Sequence, residues 1–381
     1  MVRRLITLSA LLCLVIASQF PAGAIGSDLP VASASFNDDI HKVAYDGDVV
    51  YAGGAFTRAI DVDGTASRRY YLAAVDSSSG ELLPFAPVLD GVVNEVVTTS
   101  EYLYAAGGFR HVDGVSMPRV ARFDLGTGEL DESWRPRPSA RVFAVEPLGD
   151  RVYLGGQFTS VGGLAQRYLA AVSAEDGAVV DSFTPRLADG SVRDLEAGQG
   201  RLYVSGGFSD VEGEEQFAHL AALDPSTGRV DRTFQADVYV LTRQVVVDGD
   251  RVYAALDGRG GEVRAFDMTG RALWYQAVDG GMQTVAVWGD AIIAGGHFDK
   301  ACVTDNAGPH GECVDGVKAE RGKLLAVDES GALLSWNPNA NGVIGVWDLE
   351  PHPGGASLAA GGSFTMFGGG VMQQKRLAVF E

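Results

Sequence analysis

Short apolar runs alternate with clusters of Gly, Asp, Asn and Ser along this chain, and one phrase marks their repetition. VYAGGAFT, which begins at Val50, returns as LYAAGGFR, VYLGGQFT and LYVSGGFS. At first the copies are about fifty residues apart, a spacing typical of repeat architectures. A weaker copy, VYAALDGR from Val252, has lost the glycine pair. The other copies end at Phe56, Phe109, Phe158, Phe208, Phe298 and Phe364.

Each copy of the phrase belongs to a longer unit with four apolar runs. A run such as VNEVV precedes it, and a run such as LAAVD, which begins at Leu72, follows it. A Gly- and Ser-rich turn then leads to a segment that ends in an aromatic residue, as in GELDESW. Runs of this composition between turn residues are typical of β-strands. Outside the first 24 residues, no segment has a convincing helical period.

Seven units of four strands predict an all-β fold, a seven-bladed β-propeller with four-stranded blades. Blades are buried on both faces, which explains runs that are continuously apolar. The glycine pair is interpreted as a place where another backbone comes close.

The last unit ends at RLAVFE and lacks its fourth strand. We expect PVASASF, Pro30 to Phe36, to supply the outer strand of the last blade and to close the ring, because an unpaired edge promotes aggregation. In this interpretation Phe36 takes the place that Phe85 or Phe183 holds in other units.

The N-terminus has the three parts of a secretory signal: MVRR, the apolar LITLSALLCLVIA and the small residues AGA. We therefore predict a signal peptide at residues 1–24, cleaved near Ala24, and a single propeller domain at residues 25–381. The protein is expected to be secreted and extracellular, without insertion into a membrane, and monomeric.

The formal net charge of −19 over 381 residues disfavours two classes of partner. Nucleic-acid binding needs basic side chains that replace condensed counterions. Docking on anionic lipid needs basic clusters as well.

The two cysteines beyond the signal, Cys302 and Cys313, lie in the one long insertion, at about residues 299–322. An even pair in an exported chain predicts a disulfide. The alternative is a metal site with His297 and His310, although no tight Cys or His spacing favours it. We predict no metal and no cofactor.

The combination of GGxF, LAAVD and TGELDESWRP resembles the delta-60 type of β-propeller repeat, which is found in many secreted bacterial proteins. It is also similar to repeats in the ectodomains of fungal cell-polarity markers. The resemblance covers essentially the whole chain after the signal. It implies an extracellular propeller but indicates almost nothing about chemistry, since fold alone does not give function.

Two further motifs are interpreted as structural. DVDG, from Asp61 to Gly64, begins like a calcium loop but lacks the later carboxylate, so a turn is expected. FDLGTGELDESW, which ends at Trp134, is faintly similar to the docking motif of quinone-cofactor propeller enzymes. We expect it to hold neighbouring blades together. No Gly-x-Ser-x-Gly nucleophile elbow is present.

The innermost strand of each unit should border a central channel, and its residues differ between units. A funnel of such side chains could bind an extracellular ligand: a glycan, a small polar molecule or a protein. The alternative is that these side chains pair with one another. A second function, an extracellular polysaccharide hydrolase or lyase with carboxylates at the channel mouth, stays open. The candidate ligand-binding residues are His41, Glu95, Arg193, Asp194, Arg243, Trp347 and Asp348.

Overall fold

The computed structural model describes residues 25–258, 260–303, 313 and 315–381. The predicted signal peptide and most of the segment between the two cysteines lie outside these residues. The described chain is all-β, as predicted, apart from one short 3-10 helix, Glu215–Phe217. None of the described residues forms a helix long and apolar enough to cross a membrane.

Seven sheets share one antiparallel order, in which an inner strand pairs with a second strand and the second with a third. The inner strands are β2 (Ile40–Asp46), β7 (Val93–Thr98), β12 (Val142–Leu148), β17 (Val192–Gly198), β20 (Thr242–Asp248), β24 (Met282–Trp288) and β29 (Val346–Pro351). The second strands are β3 (Val49–Gly54), β8 (Tyr102–Gly107), β13 (Arg151–Gly156), β18 (Arg201–Gly206), β21 (Arg251–Leu256), β25 (Ala291–Gly296) and β30 (Leu358–Gly362). The third strands are β6 (Leu72–Asp76), β11 (Val120–Asp124), β16 (Leu169–Ser173), β19 (Leu220–Leu223), β22 (Glu262–Asp267), β28 (Leu324–Val327) and β33 (Leu377–Phe380).

Short strands fill the connections between second and third strands and the entry to the first sheet. They are β1 (Ser35–Phe36), β4 (Arg58–Ile60), β5 (Ala66–Arg68), β9 (His111–Val112), β10 (Val115–Ser116), β14 (Ser160–Val161), β15 (Leu164–Ala165), β26 (Lys300–Cys302), β27 (Lys318–Glu320), β31 (Met366–Phe367) and β32 (Met372–Gln373). The hairpin of β26 and β27 carries the predicted insertion. Cys302 and Cys313 form the predicted disulfide.

The fourth strand differs from the prediction. Among the described residues, only the fifth sheet has a full one, β23 (Ala272–Ala277). In several other sheets a single bridge, such as that of Phe123 with Leu130, takes its place. In the second sheet the next residue, Asp131, accepts a hydrogen bond from the backbone of Ser133, and this turn leads the chain away before a second pair forms. In the fifth sheet β23 instead pairs with the third strand along its length, apart from one irregularity in register.

The glycine pair explains why the phrase recurs. A Cβ on Gly54 would lie 2.1 Å from the carbonyl oxygen of Asp39, just before the inner strand of the same sheet. A Cβ on Gly53 would lie 2.5 Å from the Val93 side chain, on the inner strand of the next sheet. The pair therefore permits close approach within and between sheets, as predicted. The aromatic residues that follow, such as Phe56 and Phe158, are fully buried.

Contacts connect each inner strand with the next, from β2 through β7, β12, β17, β20 and β24 to β29. β29 also contacts β2. The seven inner strands therefore border one shared space.

The N-terminal segment pairs with the last strand of the chain. Val31 forms an antiparallel bridge with Val379, and the Ser27 amide donates to the Glu381 carbonyl at 2.8 Å. The expected place of Phe36 is wrong. Phe36 pairs with Ala59 of β4, as Leu89 and Leu187 bridge to the corresponding hairpins of later units. The Phe36 ring instead packs against Phe56, with ring centroids 4.6 Å apart.

Candidate functional site

Each inner strand has a β-bulge near its start, at which one residue is left out of the pairing with the second strand. Bulges re-aim side chains. The seven bulged residues all line one cavity of about 320 Å³. They are His41, Asn94, Phe143, Arg193, Arg243, Gln283 and Trp347.

All seven residues that the sequence proposed for ligand binding line this cavity. His41, Arg193, Arg243 and Trp347 are bulged residues at its outer end. Glu95, Asp194 and Asp348 each follow a bulged residue and lie deeper. We call the outer end the arginine mouth, after Arg141, Arg193 and Arg243.

One side of the arginine mouth is aromatic. The rings of His41 and Trp347 meet edge to face, with centroids 5.6 Å apart. The Trp347 indole donates to Asp39 at 3.3 Å, which fixes its orientation. Burial lowers the pKa of His41, and the nearby Asp39 carboxylate only partly offsets this. The His41 imidazole is therefore uncharged at neutral pH.

The opposite side carries guanidinium groups in two different states. Arg243 donates two hydrogen bonds to Asp257, at 2.6 and 2.9 Å, and its charge is thereby balanced. Arg193 lies 4.3 Å above the Phe143 ring and has no carboxylate partner among the described residues. Burial lowers the pKa of Arg193, and the positive charges of Arg243 and Arg141 lower it further. The mouth thus holds positive charge that no described carboxylate neutralises.

Between the mouth and the far end of the channel lies a group of residues that we call the waist: Lys42, Glu95, Asp194, Gln244 and Asp348. The Lys42 ammonium lies 3.2 Å from Asp348 and 3.9 Å from Glu95. Burial lowers the pKa of Lys42, but Asp348 and Glu95 outweigh it and hold the pKa well above its usual value. The waist therefore places one cation beside buried carboxyl groups, and burial raises the pKa of Glu95, of Asp348 and, to about 6, of Asp194.

Side chains of the waist also accept hydrogen bonds from backbone amides of the neighbouring inner strand. Asp348 accepts from the Val43 amide at 2.9 Å, and Asp194 accepts from the Val245 amide at 2.8 Å. These carboxylates thus satisfy backbone groups on the open edges of strands. The carboxylates expected at the channel mouth for glycoside chemistry are instead buried at the waist, where Asp348 is only 2% exposed.

The far end of the channel is a second cavity of about 370 Å³, which shares Lys42, Glu95, Asp194 and Gln244 with the first. We call it the glutamate end, after Glu146, Glu196 and Glu350. Burial raises the pKa of Glu196 to about 7, and the charge of Asp194 adds to this rise. Burial also raises the pKa of Glu350 to about 8, and the charge of Asp348 contributes a smaller part of this rise. This end of the channel therefore retains protons near neutral pH.

Sequence reasoning missed several channel residues. Arg141 precedes its inner strand, and Gln157 fills the variable slot before the aromatic residue of the repeated phrase, yet both line the mouth. Alternation along a strand could have found the glutamate end, since Glu196 lies two residues beyond Asp194 and on the same face.

The other motifs have structural places. Asp61 to Gly64 forms the turn between β4 and β5, closed by a hydrogen bond from the Gly64 amide to the Asp61 carbonyl. Trp134 is fully buried, and its indole donates to the Ser173 carbonyl of the next sheet at 2.9 Å. Both structural interpretations are thus supported. In the described ranges, no three His, Cys, Asp or Glu side chains are arranged to hold a metal ion.

Comparison with solved structures supports the fold. The WD40 β-propeller domain of Doa1 is similar with a TM-score of 0.57 and 12% identity, covering 92% of this chain and 96% of that one. The computationally designed Ika8 protein is similar with a TM-score of 0.55 and 10% identity, covering 93% of this chain and 99% of that one. No family model and no curated protein sequence matches the chain. The chain therefore has a β-propeller fold, and identities this low carry nothing about function.

Proposed function

We propose that the chain is a seven-bladed propeller of the delta-60 repeat type, with a ring closed by its N-terminal strand. Seven sheets with the same strand order support the blade count. Closure is supported by the contact of β29 with β2 and by the bridge of Val31 to Val379. A Cβ on Gly361 of the last sheet would lie 2.6 Å from the Ile40 side chain of the first, which matches the packing of Gly53 against Val93.

The protein acts outside the cell. The N-terminal pattern at residues 1–24 is that of a secretory signal. The disulfide of Cys302 and Cys313 agrees with an oxidising compartment.

Its function is to bind an extracellular ligand at the arginine mouth without transforming it. The observation that carries this conclusion is the convergence of seven bulged residues, one from each sheet, in one cavity. The glycine pair and the buried aromatic residue recur between units because they pack the sheets, whereas the seven bulged residues are of six different types. A scaffold that repeats its packing residues and varies its cavity residues is suited to recognition.

A glycan and small-molecule array tests this function. The protein should bind at least one class of ligand, and Trp347→Ala should abolish that binding while the melting temperature stays nearly unchanged. Val371→Ala, at an exposed loop residue far from the inner strands in sequence, is the control and should bind normally. Binding that survives Trp347→Ala but is lost when residues 304–312 are deleted would place recognition on the disulfide loop instead. Turnover of a polysaccharide that Asp194→Asn abolishes would favour the enzyme alternative.

A further inference from the structure

The arginine mouth contains polar atoms that lack protein partners, and these atoms indicate the chemistry of a ligand. Nε of Arg193 is buried and has no hydrogen-bond partner in the described part of the protein. The same is true of Asn94 Oδ1 and of the Gln283 amide atom that faces away from His297. Buried polar groups are normally paired, so each such group needs an explanation. Three of them on bulged residues of one cavity point to a common cause.

The orientation of the two amides is set by histidines. The Asn94 amide nitrogen lies 3.4 Å from His41 Nδ1, which leaves the Asn94 carbonyl oxygen as an acceptor. The Gln283 amide group lies 3.4 Å from His297 Nδ1. Because His297 Nε2 accepts from the Gly281 amide at 3.1 Å, His297 Nδ1 carries the proton and the Gln283 oxygen faces it, so the Gln283 amide nitrogen remains as a donor. A hydroxyl group of a ligand both donates and accepts, and it complements either atom.

The guanidinium groups require the opposite chemistry. Arg193 is held over Phe143 at 4.3 Å, and Arg141 lies 6.0 Å from the same ring. No ion pair joins either arginine to a carboxylate within the ranges that the structure describes, although the chain as a whole carries a formal charge of −19. A guanidinium that is already positioned by packing binds a carboxylate strongly, because little side-chain freedom is lost.

The aromatic side completes the arrangement. In the order of the inner strands, Trp347 and His41 come from the last and first sheets, and Arg193 comes from the fourth. Since the last inner strand contacts the first, these two rings lie across the cavity from Arg193. A flat indole surface opposite a charged group suits a sugar ring, whose apolar face covers the indole while its polar edge meets the arginine.

We propose that the arginine mouth binds a uronic acid, with its carboxylate at Arg193 and hydroxyl groups at Asn94 and Gln283. This inference rests on the proposed binding function and names its ligand class. The cavity of about 320 Å³ is at the small end of ligand pockets, so it accommodates one or two sugar residues rather than a long chain. Recognition is therefore of a terminal acidic sugar or a free one.

Titration calorimetry with three probes tests the inference: D-galacturonate, its neutral methyl ester and D-galactose. The protein should bind galacturonate about 10- to 100-fold more tightly than either neutral probe, the range expected for a charge-assisted hydrogen bond. Arg193→Gln should remove this preference. Arg232→Gln is the matched control, because Arg232 pairs with Glu212 and Glu214 on an exposed surface, and it should leave all affinities unchanged.

Gln283→Met tests the hydroxyl contact separately. It should weaken binding of galacturonate about threefold or more, in the range of one neutral hydrogen bond. Equal affinity for galacturonate and galactose, or an unchanged affinity in Arg193→Gln, would overturn the acidic ligand. If a neutral ligand bound and Trp347→Ala abolished its binding, the binding function would stand while this inference failed. If no array member bound at all, both would fail.

Discussion

The two ends of the channel are built from the same seven strands but have opposite electrostatics. The arginine mouth is lined by bulged residues, and two of its guanidinium groups, those of Arg141 and Arg193, have no carboxylate partner among the described residues. The glutamate end is lined by residues three positions further along the same strands, and its carboxyl groups have pKa values raised by burial. Glu196 there accepts a hydrogen bond from the Val247 amide, so part of its role is to satisfy a strand edge. The difference indicates that the glutamate end and the waist serve the scaffold, whereas the mouth is free to recognise a ligand.

The largest effect should come from the waist. Lys42→Met removes the cation beside Glu95 and Asp348 and leaves buried carboxylates unpaired, which costs about 3–5 kcal/mol of unfolding free energy. Chemical denaturation measures this loss. Lys300→Met is the control, since Lys300 and Glu320 form an exposed pair, and it should cost less than about 1 kcal/mol. Equal losses in the two variants would contradict a structural waist.

A smaller effect should appear in the pH dependence of stability. Glu196 and Glu350 have folded pKa values of about 7 and about 8, whereas unfolded glutamates release their protons near pH 4.3. Between these values the folded state binds more protons than the unfolded state, so the free energy of unfolding falls as the pH rises from about 4.5 to 8.

The double variant Glu196→Gln, Glu350→Gln should lose much of this slope. We expect the double variant to gain stability relative to the wild type between pH 5 and pH 8, because it has no carboxyl group to deprotonate at either position. Glu320→Gln, at an exposed glutamate, should keep the wild-type slope. Parallel stability curves for the double variant and the wild type would show that the glutamate end does not retain protons.

The smallest effect on stability should come from the mouth. Arg193→Gln removes a guanidinium that forms no ion pair with any described residue, so we expect a change below about 1 kcal/mol. Thermal unfolding measures it beside the binding assays. A loss as large as that of Lys42→Met would mean that Arg193 is part of the scaffold.

Much of the fold could be predicted from the sequence because its constraints are local and repeated. The glycine pair is needed wherever a second strand passes the start of an inner strand, so it recurs as a visible phrase. The fourth strand could not be predicted correctly, since the composition of these segments does not show whether pairing continues beyond a single bridge, such as that of Phe123 with Leu130. Phe36 was placed wrongly for a related reason: an aromatic residue does not by itself specify the register of a strand.

The candidate site could be predicted in its members but not in their roles. Reading the inner strands located His41, Arg193 and Trp347 at one cavity. It could not separate the paired charge of Arg243 from the unpaired charge of Arg193, because the partner of Arg243 is Asp257, which lies just after the second strand. The inner-strand pattern also misses Arg141, because Arg141 lies before its strand and reaches the cavity only in the folded protein.

The most direct test of the difference between the two ends is a crystal structure of the protein soaked with D-galacturonate. The account predicts density for the sugar in the arginine mouth, with a carboxylate oxygen about 3 Å from Arg193 Nε and the ring against Trp347. The glutamate end should hold no sugar. A sugar bound at the glutamate end, or a neutral face of the sugar turned toward Arg193, would contradict the account.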